Sequence, residues 1–224
     1  MDCPVLIFAL QRSGGSYVSQ ILSGGKPILS EPALPDDGFI SPLTENVRRM
    51  FDFQDRASTY QVIKVCRFEN YLDMLADRGL SLPDGFTPIC LFRHPYTQIA
   101  SHLYTFHEWE DGWAPRDHFW RAIEDYRSHF RLCEIIKQRF PGTLYVKYED
   151  TLGDGLLPFL KMIYGENADA FSAQALEAQG FAYKLGPITD GTAWVPRTKK
   201  LQKKEECWIN EKLGDVMEAL GYGR

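Results

Sequence analysis

The chain has 224 residues, the length of one domain or of one domain carrying an insertion. Lys and Arg number 25 against 30 Asp and Glu, a net charge of −5, which argues against a general nucleic-acid binder and leaves room for one small basic pocket. A composition of 44% hydrophobic and 13% aromatic residues supplies a core and excludes a disordered chain.

Val5–Leu10 (VLIFAL) is a continuous apolar run, as expected of a parallel strand covered on both faces. It follows Asp2 rather than a basic stretch, and no small-residue cleavage site follows it, so a buried strand is expected here instead of a signal peptide. A polar, Gly-containing turn over Gln11–Ser16 leads into a helix at Tyr17–Leu22. Gly24–Pro42 is expected to be irregular. Tyr60–Val65 and Pro88–Phe92 read as two further strands, and Leu144–Lys147 as a fourth. Between the last two lies a long helical stretch, with Phe119, Ile123, Tyr126, Phe130, Cys133, Ile136 and Phe140 forming a core-facing stripe that also takes in Trp120, and with Gly142 as its stop. Phe181–Lys204 is a basic loop, and a last helix is expected over Glu205–Leu220. Strands alternating with helices imply a three-layer α/β/α domain with a central parallel sheet, spanning residues 1–224.

The five cysteines are odd in number and scattered, which fits neither a disulfide framework nor a zinc site and points to a reducing, cytoplasmic setting. No segment approaches the length of a membrane span.

The turn after the first strand is the segment that suggests chemistry. Open α/β sheets bind ligands at the carboxyl ends of their strands. A Gly-containing loop there can aim backbone N–H groups at an anion, reinforced by the following helix N-terminus. Arg12 brings a fixed positive charge, and Ser13 and Ser16 bring hydroxyls. The spacing is not GxxxxGK[ST], which demotes an ordinary Mg²⁺-dependent ATP or GTP hydrolase.

Gln11-Arg-Ser-Gly-Gly-Ser-Tyr17 resembles the 5′-phosphosulfate loop of sulfotransferases that use 3′-phosphoadenosine 5′-phosphosulfate (PAPS), with Gln11 in place of Pro and departures at Gly15 and Tyr17. Phe92-Arg-His-Pro through Ser101 resembles the 3′-phosphate motif of that family, with Arg93 at a strand end and Ser101 two helical turns on. Read without the family, the favoured expectation is that Arg93 caps a helix or pairs with a carboxylate and that Ser101 simply fills a helix position. Tyr145 through Leu152 resembles the YEDL segment, which follows a strand and opens a helix, and Gly191 through Tyr222 resembles the C-terminal part of bacterial and carbohydrate sulfotransferases.

The resemblance implies a P-loop NTPase-like sulfotransferase fold and a sulfuryl transfer from PAPS to a hydroxyl or amine of a small-molecule or carbohydrate acceptor, with no metal. It implies donor contacts from Arg12, Ser13, Gly14, Gly15, Ser16, Tyr17, Arg93, Ser101, Tyr148, Arg197, Lys199 and Lys200. Tyr148 would lie near the adenine or simply pack in the core; Glu149 and Asp150 are expected to serve a helix start. Arg12 would act on the leaving phosphate. Glu31 is the first choice for the catalytic base, with His102 and His107 as alternatives. Lys64 is a candidate pocket cation, Lys203 and Lys204 are expected to be solvated, and Trp109 and Trp113 are candidates for an acceptor pocket. Two other classes stay open: a nucleotide or small-molecule kinase with an irregular P-loop, and a catalytically idle nucleotide-binding protein of the same fold.

Overall fold

The structure, a computed structural model, describes residues 5–24, 28–30, 61–65, 86–109, 115–168 and 201–223. Five strands form one parallel sheet: β1 (Val5–Ala9), β2 (Ile28–Ser30), β3 (Val62–Val65), β4 (Thr87–Phe92) and β5 (Leu144–Lys147), in the order β2-β3-β1-β4-β5. β1 is central, pairing Leu6 with Ile63 of β3 and with Pro88 of β4. Its side chains alternate between faces. Leu6 and Phe8 join one buried cluster and Val5, Ile7 and Ala9 another, so both sides demand apolar residues and no polar position interrupts the run.

The first cluster packs the sheet against α2 (Pro95–Trp109), α3 (Pro115–Arg139) and α5 (Lys203–Ala219), through residues such as Ile99, Tyr126 and Leu213. The second packs the opposite face against α1 (Gly15–Ser23) and α4 (Leu156–Tyr164), through Val18, Ile21 and Phe159. The molecule is thus an α/β/α layering around a parallel sheet. The helices that follow the neighbouring strands β1 and β4 depart to opposite faces. Their loops diverge and leave a crevice at the strand ends, the place where doubly wound sheets bind ligands.

Three expectations are corrected. The irregular stretch Gly24–Pro42 contains an edge strand, Ile28–Ser30, three residues long and with too short an apolar run to stand out. The helical stretch after β4 is two helices, α2 and α3. The residues after β5 do not open an α-helix: Tyr148–Thr151 and Gly153–Gly155 are 3₁₀ turns, and α4 begins only at Leu156. At α5 the start is sharp, with Gln202 and Glu205 forming a reciprocal capping box. Among the described residues, no helix is long and apolar enough to cross a membrane.

Candidate functional site

The loop between β1 and α1 is held by short local bonds. The Ser13 N–H and hydroxyl both donate to the Leu10 carbonyl, at 3.1 and 2.6 Å. The Ser13 hydroxyl is therefore a structural tie, and its oxygen sits in a buried residue. Gly14 takes φ +90° at the N-cap of α1, where no side chain caps the helix. A Cβ on Gly14 would lie 2.2 Å from Tyr148 Cδ2, so this position accepts only glycine on two counts. The uncapped first turn of α1 leaves backbone donors directed at the crevice mouth.

Three cationic side chains meet at this loop: Arg12 of the loop itself, Lys64 of β3 and Arg93 just after β4. Arg12 donates from Nε to the Ser101 hydroxyl at 3.1 Å, joining residues 89 positions apart. Arg93, at the end of β4, is 7% exposed; it donates from Nη1 to the Arg12 carbonyl at 3.2 Å and from Nε to Thr97 Oγ1 at 3.1 Å. Lys64 of β3 donates from Nζ to the Ser16 hydroxyl at 3.0 Å. Accepting that bond leaves the Ser16 proton as a donor in its own right.

Among the described residues, every acceptor of these bonds is a hydroxyl or a carbonyl, so the bonds orient the cations without neutralising them. Burial lowers the pKa of Arg12, and the Arg93 guanidinium lowers it further. Burial also lowers Arg93, which is opposed by Tyr148, Glu149 and Tyr222. Two guanidiniums held side by side, Arg12 exposed at the surface and Arg93 buried, are the condition that a bound anion relieves.

Further residues hold this arrangement in place. Tyr126, on the core stripe of α3, donates its buried hydroxyl to the Arg93 carbonyl at 2.8 Å. Gln98 donates from Nε2 to the Gln11 carbonyl at 2.8 Å. Thr97, Gln98 and Ser101 lie on one face of α2 by their three- and four-residue spacing, and that face meets the loop. Sequence reasoning singled out Ser101 and missed Thr97 and Gln98; the shared helix face was the signal that could have found them.

Arg12, Ser16, Arg93 and Ser101 are thus brought together with Lys64, and Gly14 and Gly15 line the same turn. Tyr148 is 8% exposed, packed against Gly14 with the Tyr17 ring edge-on at 5.7 Å and the Arg93 guanidinium 5.0 Å from its centroid. Its visible role is to floor the loop. His102, next to Ser101, is buried; burial first, then His118, Arg121 and Arg12, bring its pKa down to about 4. It is neutral at pH 7. Glu31, Trp113, Arg197, Lys199 and Lys200 lie outside the described residues, as do the side chains of His107 and Trp109.

Glu149 is used differently from the expectation of a helix start. Its carboxylate accepts the His94 N–H at 2.9 Å and the Tyr222 hydroxyl at 3.0 Å, tying the chain end to the ends of β4 and β5.

No protein-family model matches the chain, and no curated protein matches it in sequence. Solved structures do match in fold. Mouse sulfotransferase SULT7A1 complexed with PAP superimposes with a TM-score of 0.64 at 12% identity, over 99% of this chain and 88% of that one. Sulfotransferase STF9 from Mycobacterium avium matches with a TM-score of 0.52 at 14% identity, over 97% of this chain and 76% of that one.

Proposed function

We propose that the chain is a sulfotransferase that takes PAPS as donor and passes its sulfuryl group to a hydroxyl or amine of a small-molecule or carbohydrate acceptor. The observation that carries this reading is the meeting of Arg12, Arg93 and Ser101 at the crevice between β1 and β4. These residues come from the two segments that resemble the donor-binding motifs, and the fold they share is that of a sulfotransferase crystallised with PAP.

In this reading the α1 N-terminus, Arg12 and Ser16 hold the 5′-phosphosulfate, with Lys64 beside Ser16 as a further cation. Arg93 and Ser101 hold the 3′-phosphate. Transfer breaks the sulfur–oxygen bond to the donor phosphate and forms one to the acceptor oxygen or nitrogen. The acceptor's proton passes to a base and adenosine 3′,5′-bisphosphate leaves. Charge gathers on the leaving phosphate, where this reading puts Arg12; stabilising charge that develops late is the larger part of such catalysis. Arg12 and Lys64 together supply positive charge of the kind that Mg²⁺ supplies in nucleotide hydrolases, so no metal is proposed. Glu31 is proposed as the base, with His107 next. His102 is the weakest of the three, because a buried imidazole with a pKa of about 4 is a poor proton acceptor.

The test is calorimetry with adenosine 3′,5′-bisphosphate and with AMP, followed by PAPS turnover over an acceptor panel with and without EDTA. Tighter binding of the bisphosphate and EDTA-insensitive transfer are expected. Equal affinities would overturn the donor reading, and a strict Mg²⁺ requirement with ATP would favour the kinase.

A further inference from the structure

The Leu10–Ser13 turn is closed by the bond from the Ser13 N–H to the Leu10 carbonyl. Arg12, its third residue, has φ +68° and is the one non-glycine among the described residues with positive φ; Gln11, its second residue, therefore has negative φ. Among the standard four-residue turns closed by such a bond, that sign pattern belongs to type II. Type II favours proline in second place and glycine or asparagine in third, whereas this chain carries Gln11 and Arg12. A type I turn joins the same ends with the middle peptide turned over and negative φ throughout, which an arginine adopts without strain.

The middle peptide joins Gln11 to Arg12, and its carbonyl is the one that Gln98 Nε2 holds at 2.8 Å. Because a trans peptide points its C=O and N–H in opposite directions, holding that carbonyl toward α2 turns the Arg12 N–H the other way. It also keeps Arg12 left-handed, with its guanidinium led to Ser101 and its own carbonyl led to Arg93. The cost of the left-handed arginine and the worth of one partly buried hydrogen bond are of the same order, so a single bond can decide the flip. Gln98 is 1% exposed, and its Oε1 has no hydrogen-bond partner among the described residues. An apolar side chain of equal size would avoid that unpaired oxygen, so the amide is a poor choice for packing and a good one for orientation.

We infer that Gln98 is a positioning residue that locks the Gln11–Arg12 peptide in its type II orientation and thereby sets the anion-binding form of the loop. The consequence for binding rests on the donor reading above; the consequence for the peptide does not. Gln98→Met keeps the volume and removes the donor. It should melt at or above the wild-type temperature and bind adenosine 3′,5′-bisphosphate about tenfold more weakly, the loss of one hydrogen bond. Its crystal structure should show Arg12 at negative φ with the Gln11 carbonyl reversed. Gln98→Leu, which also removes the donor, should give the same reversal should the Met variant not fold. Adding Arg12→Gly to Gln98→Met should restore the type II turn, because glycine takes positive φ freely. A variant with the wild-type peptide orientation, or with wild-type affinity, overturns the proposal; so does a lowered melting temperature with the peptide unmoved, the mark of a packing role. If the wild-type protein does not bind the bisphosphate at all, the donor reading fails, and the peptide orientation in the two structures still decides the role of Gln98.

Discussion

The ends of β1 and β5 lie on the same edge of the sheet, on either side of β4, and both lead into segments that resemble sulfotransferase motifs. They differ in what their charged groups touch. At the end of β1, Arg12, Arg93 and Lys64 bond to hydroxyls and a carbonyl, which direct the cations and leave their charge in place for an anion. At the end of β5, the Glu149 carboxylate is consumed by the His94 N–H and the Tyr222 hydroxyl. Its field reaches Arg93 and favours the charged guanidinium there, which makes Arg93 the residue common to both ends. One strand end offers cations held by neutral partners among the described residues, and the other is a structural joint whose charge is met by donors of the chain itself.

The sharpest break of this comparison is Arg12→Ala. Transfer should slow by about 10²–10³, as on loss of one group that stabilises transition-state charge, while affinity for adenosine 3′,5′-bisphosphate falls much less. Steady-state rates beside calorimetry check it, and unchanged turnover would remove Arg12 from the reaction. Arg12→Lys should recover only part of the rate, because a lysine cannot serve Ser101 and the anion with a fixed fork.

Acid provides a second test on the β1 side. His102 has a folded pKa of about 4, below its unfolded value, so between about pH 6.5 and 4 the unfolded chain binds more protons and stability falls as pH falls. The fully buried His129, which bonds the Leu91 carbonyl, is shifted to about 4 as well and adds to the same slope. Each contributes on the order of 3 kcal/mol across that window. Denaturant titrations at pH 7 and 4.5 should differ less for His102→Gln than for the wild type. An equal pH dependence would mean that His102 is not held neutral.

Arg93→Ala should erase most of the preference for adenosine 3′,5′-bisphosphate over AMP, a loss of about 1.5–3 kcal/mol or roughly ten- to hundredfold. Calorimetry with both ligands checks it. On the β5 side, Glu149→Gln should cost about 1–3 kcal/mol of stability with bisphosphate affinity unchanged or slightly higher, because it weakens bonds internal to the chain and removes a negative charge near the crevice. Chemical denaturation of Glu149→Gln, Tyr222→Phe and the double variant should reveal coupling between the two. Additive effects would show that the hydroxyl bond to Tyr222 contributes nothing.

By itself the sequence determined the layer architecture and singled out the loop after β1 as a candidate site. Val5–Ala9 is apolar throughout because a central parallel strand is buried on both faces, and the α3 stripe at 3.6-residue spacing announces its packed side. The Arg12 loop was legible because Gly and small polar residues between such a strand and a helix have few structural uses. Ile28–Ser30 was not legible, since three residues paired at a sheet edge carry too little pattern. Only the tertiary structure decided which charges stay available. Arg12 with Ser101, Gln11 with Gln98 and Glu149 with Tyr222 are joined across 73 to 89 positions, and the bonds depend on where α2 and the segment after α5 come to rest on the sheet. Local propensity and periodicity act over a few residues. The partner of a polar group is chosen instead by the packing of the whole domain, which is why the loop was visible in the sequence and the bonds that shape it were not.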